Sequence, residues 1–226
     1  MSSVAPKNIL IFDTETTGLI SKHLTIDEYP RIIQLGFLIY DMETKSITQM
    51  YDAYINVGPD VIVSNKITEI TGITHEMCDS QGIPIEQALI NFQKAYMKCD
   101  LIVAHNMKFD KDIIVSEMLR NKDKLNHIPD TQRPFNDTLN RTNNIRLYCT
   151  LASTKKFCNI MRMGPYGKYL KFPTLTELHE KLFNFTPIDM HNAMVDCIVC
   201  LKCYLKYEHQ IELPLTHPSL RTGVVS

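Results

Sequence analysis

Apolar and polar positions along the chain alternate between strand-like runs and helical spacing. Ile9-Leu10-Ile11-Phe12 is a continuous apolar run that ends in Asp13-Thr14-Glu15-Thr16-Thr17-Gly18-Leu19, the pattern of a buried strand closed by a turn. A polar segment from Ser21 to Pro30 follows. Arg31 to Tyr40 and Ile47 to Val57 read as two further strands joined by Asp41-Met42-Glu43-Thr44-Lys45, a link short enough to predict antiparallel pairing. Within Val63 to Met77, Asn65 is expected to cap a short helix carrying Ile67 and Ile70 and ended by Gly72. Ile85, Leu89, Phe92 and Tyr96 recur at helical spacing and predict a helix from about Pro84 to Lys98. Leu101-Ile102-Val103-Ala104 is then a short, wholly apolar strand. A helix between strands predicts a parallel crossover, which lays the end of this strand beside the end of the first.

The second half is less regular. Met107 to Arg120 reads as a helix carrying Phe109, Ile113 and Leu119. Asn121 to Arg146 is polar and reads as an exposed connection; Arg133, Arg141 and Arg146 within it read as solvated loop residues. Leu151 to Met161 and Thr174 to Phe183 read as helices with the loop Gly164-Pro165-Tyr166-Gly167 between them. Met190 to Tyr207 reads as the last helix. The expectation is an α/β chain forming a single domain over residues 1–213, with 214–226 as a flexible tail.

Composition narrows the class. At 226 residues and 44% hydrophobic the chain can bury a core, which excludes a disordered polymer. A net charge of −1 excludes the broad basic surface of a long-duplex binder. An enzyme that grips only a strand end needs few phosphate contacts, so nucleic acid stays open. No apolar stretch reaches the length of a membrane span, and Met1 to Val4 lack the pattern of a signal peptide. Seven cysteines, an odd number without scaffold spacing, read as free thiols. The expected location is therefore intracellular and cytoplasmic, with the nucleus also open. Cys197, Cys200 and Cys203 have the spacing of part of an iron–sulfur run, but the fourth ligand is missing and a packed helix face is expected instead.

Candidate chemistry sits where the apolar runs stop. Alternation puts Asp13 and Glu15 on one face at the carboxyl end of the first strand, and two anions so placed repel unless a cation lies between them. Paired hard oxygens suit magnesium or manganese. Asp110 follows the strand end at His105-Asn106, and Asp196 ends His191-Asn192-Ala193-Met194-Val195-Asp196. His105 itself reads as a strand-end residue with a satisfied hydrogen bond.

Asp-x-Glu, then Phe109-Asp110 after a strand, then a histidine five residues before a late aspartate resembles the DEDDh family of 3′–5′ exonucleases, which includes the DnaQ-like proofreading subunits and ribonuclease T. The resemblance runs from about Asn8 to Tyr207. It implies a ribonuclease H-like fold with a mixed sheet of about five strands flanked by helices. It also implies phosphodiester hydrolysis from a 3′ end with release of nucleoside 5′-monophosphates. Two magnesium ions, replaceable by manganese, would be held by Asp13, Glu15, Asp110 and Asp196, roughly 4 Å apart. His191 would be the general base, and five residues of helix would turn it about 140° from Asp196, so it is expected just before the helix. Thr14, Thr17, Leu19, Asn106 and Phe109 would line the terminal nucleotide, and Thr71-Gly72-Ile73 resembles a family segment near it. Asp-Thr-Glu-Thr-Thr-Gly-Leu looks most like the proofreading-type members, which favours DNA over RNA. An exoribonuclease and a catalytically idle nucleic-acid-binding module are the alternatives. A polymerase partner is compatible with this reading, although no residue shows one, and the oligomeric state is open.

Overall fold

The first strand, β1 (Asn8–Thr16), lies inside a mixed six-stranded sheet, paired along both edges and covered on both faces. The structure, a computed structural model, describes residues 6–213. β1 pairs antiparallel with β2 (Ile32–Asp41), which pairs antiparallel with β3 (Ser46–Asn56). The short β4 (Ile83–Pro84) runs parallel to β3 at one edge. On the other side of β1 lie β5 (Leu101–Ala104) and β6 (Arg146–Cys149), both parallel to it in sense, giving the order β4-β3-β2-β1-β5-β6. Residues 9–12 of β1, most of β2 and all of β5 are apolar because helices cover both faces of the sheet there. This is a ribonuclease H-like fold, as expected, with six strands rather than about five.

One face carries Leu10, Phe12, Leu35, Phe37 and Ile102 against α3 (Ile85–Tyr96) and α4 (Met107–Arg120). Phe12, Phe37 and Phe92 meet at 5.1–5.8 Å between ring centroids. The other face carries Ile9, Ile11, Leu38 and Val103 against α8 (Leu175–Phe183) and α9 (Ala193–His209). Cys197, Cys200 and Cys203 are buried on α9, and Cys197 Sγ donates to the carbonyl of Gly36 at 3.3 Å. They form the packed helix face that their spacing predicts.

Several boundaries differ from expectation. Ser64, not Asn65, caps α1 (Asn65–Thr71), while Gly72 ends it at φ 73° as predicted. α2 (His75–Gln81) follows, capped by Thr74. On α4 the core is reached by Ile113, Ile114 and Met118, and Leu119 is exposed. Residues 121–146 are largely exposed, as expected, but they also pack: Leu125, Ile128, Phe135 and Leu139 insert into the core, and α5 (Asp137–Thr142) leads into β6. The helix expected over Leu151 to Met161 is two short turns, α6 (Thr150–Ser153) and α7 (Lys155–Cys158). A hairpin follows, β7 (Met161–Gly164) and β8 (Gly167–Leu170), and the expected loop is its turn. The tail expected over 214–226 lies outside the described residues. Among the described residues no helix is long and apolar enough to cross a membrane.

Candidate active site

The carboxyl ends of β1 and β5 and the first turns of α4 and α9 meet at one cavity of about 490 Å³. Asp13, Thr14, Glu15, Asn106, Phe109, Asp110, His191 and Asp196 all line it, so eight of the sequence-derived site residues come together. Strand ends of an open α/β sheet are where such crevices form. A larger hollow of about 980 Å³ lies at the amino ends of β5 and β6, around Asp100, Asn140, Arg141 and Arg146. It has no comparable group of carboxylates, so chemistry rather than size selects the smaller one.

Each carboxylate is positioned by a local device. Asp110 sits in the first turn of α4, which starts directly after β5 through Asn106 at φ 73°. Thr14 donates to Asp110 Oδ1 from both its backbone nitrogen (3.2 Å) and its hydroxyl (2.7 Å), tying α4 to β1. Asp196 sits in the first turn of α9, one residue turn beyond Asn192, whose side chain accepts from the amides of Met194 and Val195. Both helices thus point their positive ends at the cluster. The helix begins at Ala193 rather than Met190, which leaves His191 exposed on the preceding loop at φ 66°. Its backbone amide donates to Asp196 Oδ2 at 3.3 Å. The imidazole therefore stands before the helix, where the 140° argument placed it.

Two residues that the sequence reading missed hold α9 against the sheet. Gly36 lies opposite Asp13 in the β1–β2 register. A β-carbon there would come within 2.7–2.8 Å of the Ala193 carbonyl and the Met194 nitrogen. Gln34 is buried, accepts from the Ala193 amide at 3.1 Å and donates to Asp52 at 2.8 Å. A polar residue inside an apolar strand run was the available signal for Gln34. Gly36→Ala is expected to push the start of α9 off the sheet, costing about 1–3 kcal/mol of stability. Turnover should fall about 10²-fold, because a misplacement of the order of 1 Å suffices for that. Denaturant melts and single-turnover rates check this, and an unchanged rate would separate the close approach from the site.

Electrostatics favour a cation at this cluster. Burial, then Asp110, Asp196 and Glu15, raise the Asp13 carboxyl well above its ordinary range. Burial and the neighbouring Asp196 and Asp110 push Glu15 up to about 8. Burial raises Asp110 to about 7 against the opposing Thr14 hydrogen bonds, and raises Asp196 to about 7. Asp196 Oδ1 is buried without a hydrogen-bond partner. Ligand atoms of Glu15, His191 and Asp196 lie within 4.8 Å of one another. Crowded anions, an unpartnered buried carboxylate oxygen and an imidazole are a donor set that a divalent cation fits.

The same crowding makes stability depend on pH. A carboxyl whose folded value is raised takes up protons on folding, so stability falls as pH rises from the unfolded value near 4 through the folded value. His105 and His179, both pushed down to about 4 by burial, oppose this trend below about pH 6.5. The carboxylates are therefore isolated between about 6.5 and 8, the upper bound set by Glu15. The melting temperature in chelator should fall across that window, and magnesium should raise it more at the top than at the bottom. Chelated protein that gains stability on going from the lower to the upper pH would contradict the crowded-anion account.

Thr17, Leu19 and Thr71 are not among the residues that line this cavity. Thr17 accepts from the Arg31 amide through its hydroxyl and closes the loop after β1. Leu19 is 81% exposed. Beside it, a smaller hollow of about 340 Å³ lined by Ile20, Lys22 and Tyr29 shares Asn106 and Phe109 with the main cavity. Thr71 spends its hydroxyl on the carbonyl of Ile67. His105 bridges the Thr150 hydroxyl (2.9 Å) and the Pro173 carbonyl (3.2 Å), a satisfied strand-end histidine.

Comparison with known proteins bears on the fold and the family. DNA polymerase III PolC-type of Thermotoga maritima is 33% identical over 206 residues, 91% of this chain and 12% of the relative. That of Thermotoga petrophila is 29% identical over the same shares. The chain thus spans about an eighth of the length of these relatives. Among solved structures, E. coli Exonuclease I in complex with a dT13 oligonucleotide superposes with a TM-score of 0.65 at 16% identity, covering 89% of this chain and 41% of that one. A zinc-bound form of the E. coli Exonuclease I complex with single-stranded DNA gives 0.63, also at 16%, over 90% and 41%. At such identities the likeness is one of fold. The exonuclease family profile matches residues 10–204, from within β1 to the middle of α9 and so across all four carboxylates and His191. The chain belongs to that family, the 3′–5′ exonucleases on the ribonuclease H-like fold.

Proposed function

We propose that this chain hydrolyses single-stranded or frayed DNA from its 3′ end, releasing nucleoside 5′-monophosphates, with magnesium as cofactor and His191 as general base. The observation that carries this reading is the convergence of Asp13, Glu15, Asp110 and Asp196 with the exposed His191 on one cavity. Asp13 would serve both ions, Glu15 and Asp196 one of them, and Asp110 the second. When bound, the ions supply Lewis-acid charge at the scissile phosphate. An imidazole nitrogen of His191 takes the proton of the attacking water, and the loop before α9 lets the ring reach it. Asp196 orients that loop through the His191 amide. Asn106 and Phe109 border the space for the terminal nucleotide, and Thr14 acts through Asp110 as well as lining the cavity. Leu19 is free to wedge against a base, and Thr17 fixes the loop that carries it.

DNA is favoured by the Asp-Thr-Glu-Thr-Thr-Gly-Leu motif, by polymerase relatives and by the DNA-bound Exonuclease I neighbours. A polymerase context and residues 1–213 as one catalytic unit belong to the same proposal. A 5′-labelled strand should shorten one nucleotide at a time, and a 3′-phosphate should slow the reaction severely. Cleavage of a circular strand would overturn the terminal-pocket reading. Matched RNA, if degraded faster than DNA, would replace it with the exoribonuclease alternative, and inertness toward both would leave the binding-module alternative.

A further inference from the structure

Charge along the chain is uneven in a way its net value hides. No aspartate or glutamate occurs between Asp137 and Glu177, while seven lysines and arginines do. In space this stretch ends in the β7–β8 hairpin, a two-stranded arm apart from the central sheet. Its side chains are not those of an inert loop. Met163 is 75% exposed, Tyr166 wholly exposed and Tyr169 50% exposed. The register sets Arg162 across from Tyr169 and Met163 across from Lys168, so each face of the arm pairs a cation with a large apolar group. The Tyr169 ring lies over Gly164, where a β-carbon would approach it to 3.0 Å. An isolated hairpin of this size is marginal in water, and one that displays aromatics and unpaired cations is built for a partner. Lys171 is taken by Glu177, and Lys155 lies 4.0 Å from the centre of the Phe172 ring. Lys156, Arg162 and Lys168 have no carboxylate within 4.0 Å among the described residues.

The arm is rooted in the candidate active site. β8 runs directly into Phe172 and Pro173, which line the carboxylate cavity, and His105 at the end of β5 holds the Pro173 carbonyl. A cavity walled by carboxylates repels a polyanion, so strand capture needs cations beyond its rim. Exposed aromatics interleaved with cations are the surface on which unstacked bases and phosphates bind together. We propose that the hairpin arm is the track for single-stranded DNA on the 5′ side of the nucleotide being removed. Arg162, Lys168 and Lys156 meet its phosphates, and Tyr166 and Tyr169 meet its bases. The proposal rests on the exonuclease reading for its direction but not for its binding chemistry.

The test separates the two. Full-length wild type, Arg162→Glu/Lys168→Glu and Tyr166→Ala/Tyr169→Ala are titrated in calcium with a 5′-labelled oligothymidylate of about a dozen residues, across a salt series. Their hydrolysis of the p-nitrophenyl ester of thymidine 5′-monophosphate, too small to reach the arm, is measured in magnesium. The charge pair should weaken strand binding about tenfold or more and lower the log–log salt slope by about 1.4, two single-strand phosphates' worth. The tyrosine pair should weaken it about tenfold with the slope kept. Ester hydrolysis and melting temperature should stay at wild-type values in both. Unchanged strand affinity in both variants overturns the track. So does an equal loss on the ester, which would make the arm a support of the cavity. A wild-type dimer dissociated by the tyrosine pair without loss of DNA affinity would reassign the arm to self-association. Wild type that binds the strand through the arm yet hydrolyses neither strand nor ester would overturn the exonuclease reading and leave the track standing.

Discussion

Asp13→Asn should abolish nearly all turnover at ordinary magnesium while the protein stays folded. Asp13 is the carboxylate most affected by its neighbours, since burial and three other acidic groups all act on it. Removing its charge relieves that repulsion, so the variant should be as stable as wild type or more stable in chelator. The cation pays for the difference: one negative charge fewer means weaker retention of the ions, and the melting-temperature gain from magnesium should shrink. Loss of catalysis with retained or improved apo stability is a signature that a structural aspartate would not give. Steady-state rates over a magnesium series and paired melts measure both sides. Full activity of Asp13→Asn at ordinary magnesium would sink the two-ion assignment.

His191→Ala should turn over about 10²- to 10⁴-fold more slowly, the usual loss for a general base, with little change in strand affinity measured in calcium. The geometry supports that split, because the contact holding the loop is made by the backbone amide of His191 and not by its ring. Alanine keeps that amide. The rate of wild type should rise with pH as the base loses its proton, and that limb should flatten in the variant. Single-turnover rates against pH for both proteins test this. Near-wild-type turnover would make the imidazole dispensable, and joint loss of affinity and folding would make it structural.

The parts of the fold legible in the sequence were those with a sustained period. β1, β2, β5 and α3 were readable because burial on two faces, or on one helical stripe, writes itself into consecutive residues. The four candidate carboxylates were legible because each lies at an element boundary, Asp13 and Glu15 at the carboxyl end of β1 and Asp110 and Asp196 in the first turns of α4 and α9. Within residues 121–146 the anchoring was missed because Leu125, Ile128, Phe135 and Leu139 reach the core singly, without a repeating interval. The β7–β8 hairpin was hidden for the opposite reason: its apolar residues face solvent on both sides, so no alternation marks it. Gln34 and Gly36 act on residues more than 150 positions away, a distance at which local pattern carries no information.

The left-handed backbone of His191 has a consequence for how this protein tolerates change. A residue with a side chain at φ 66° carries a cost of about 1–2 kcal/mol that glycine does not. With His191 as the proposed base, heat resistance and chemistry pull in opposite directions at this single position. A library of variants sorted only by survival at high temperature would drift toward glycine at 191, and the proteins it enriched would be robust and inert.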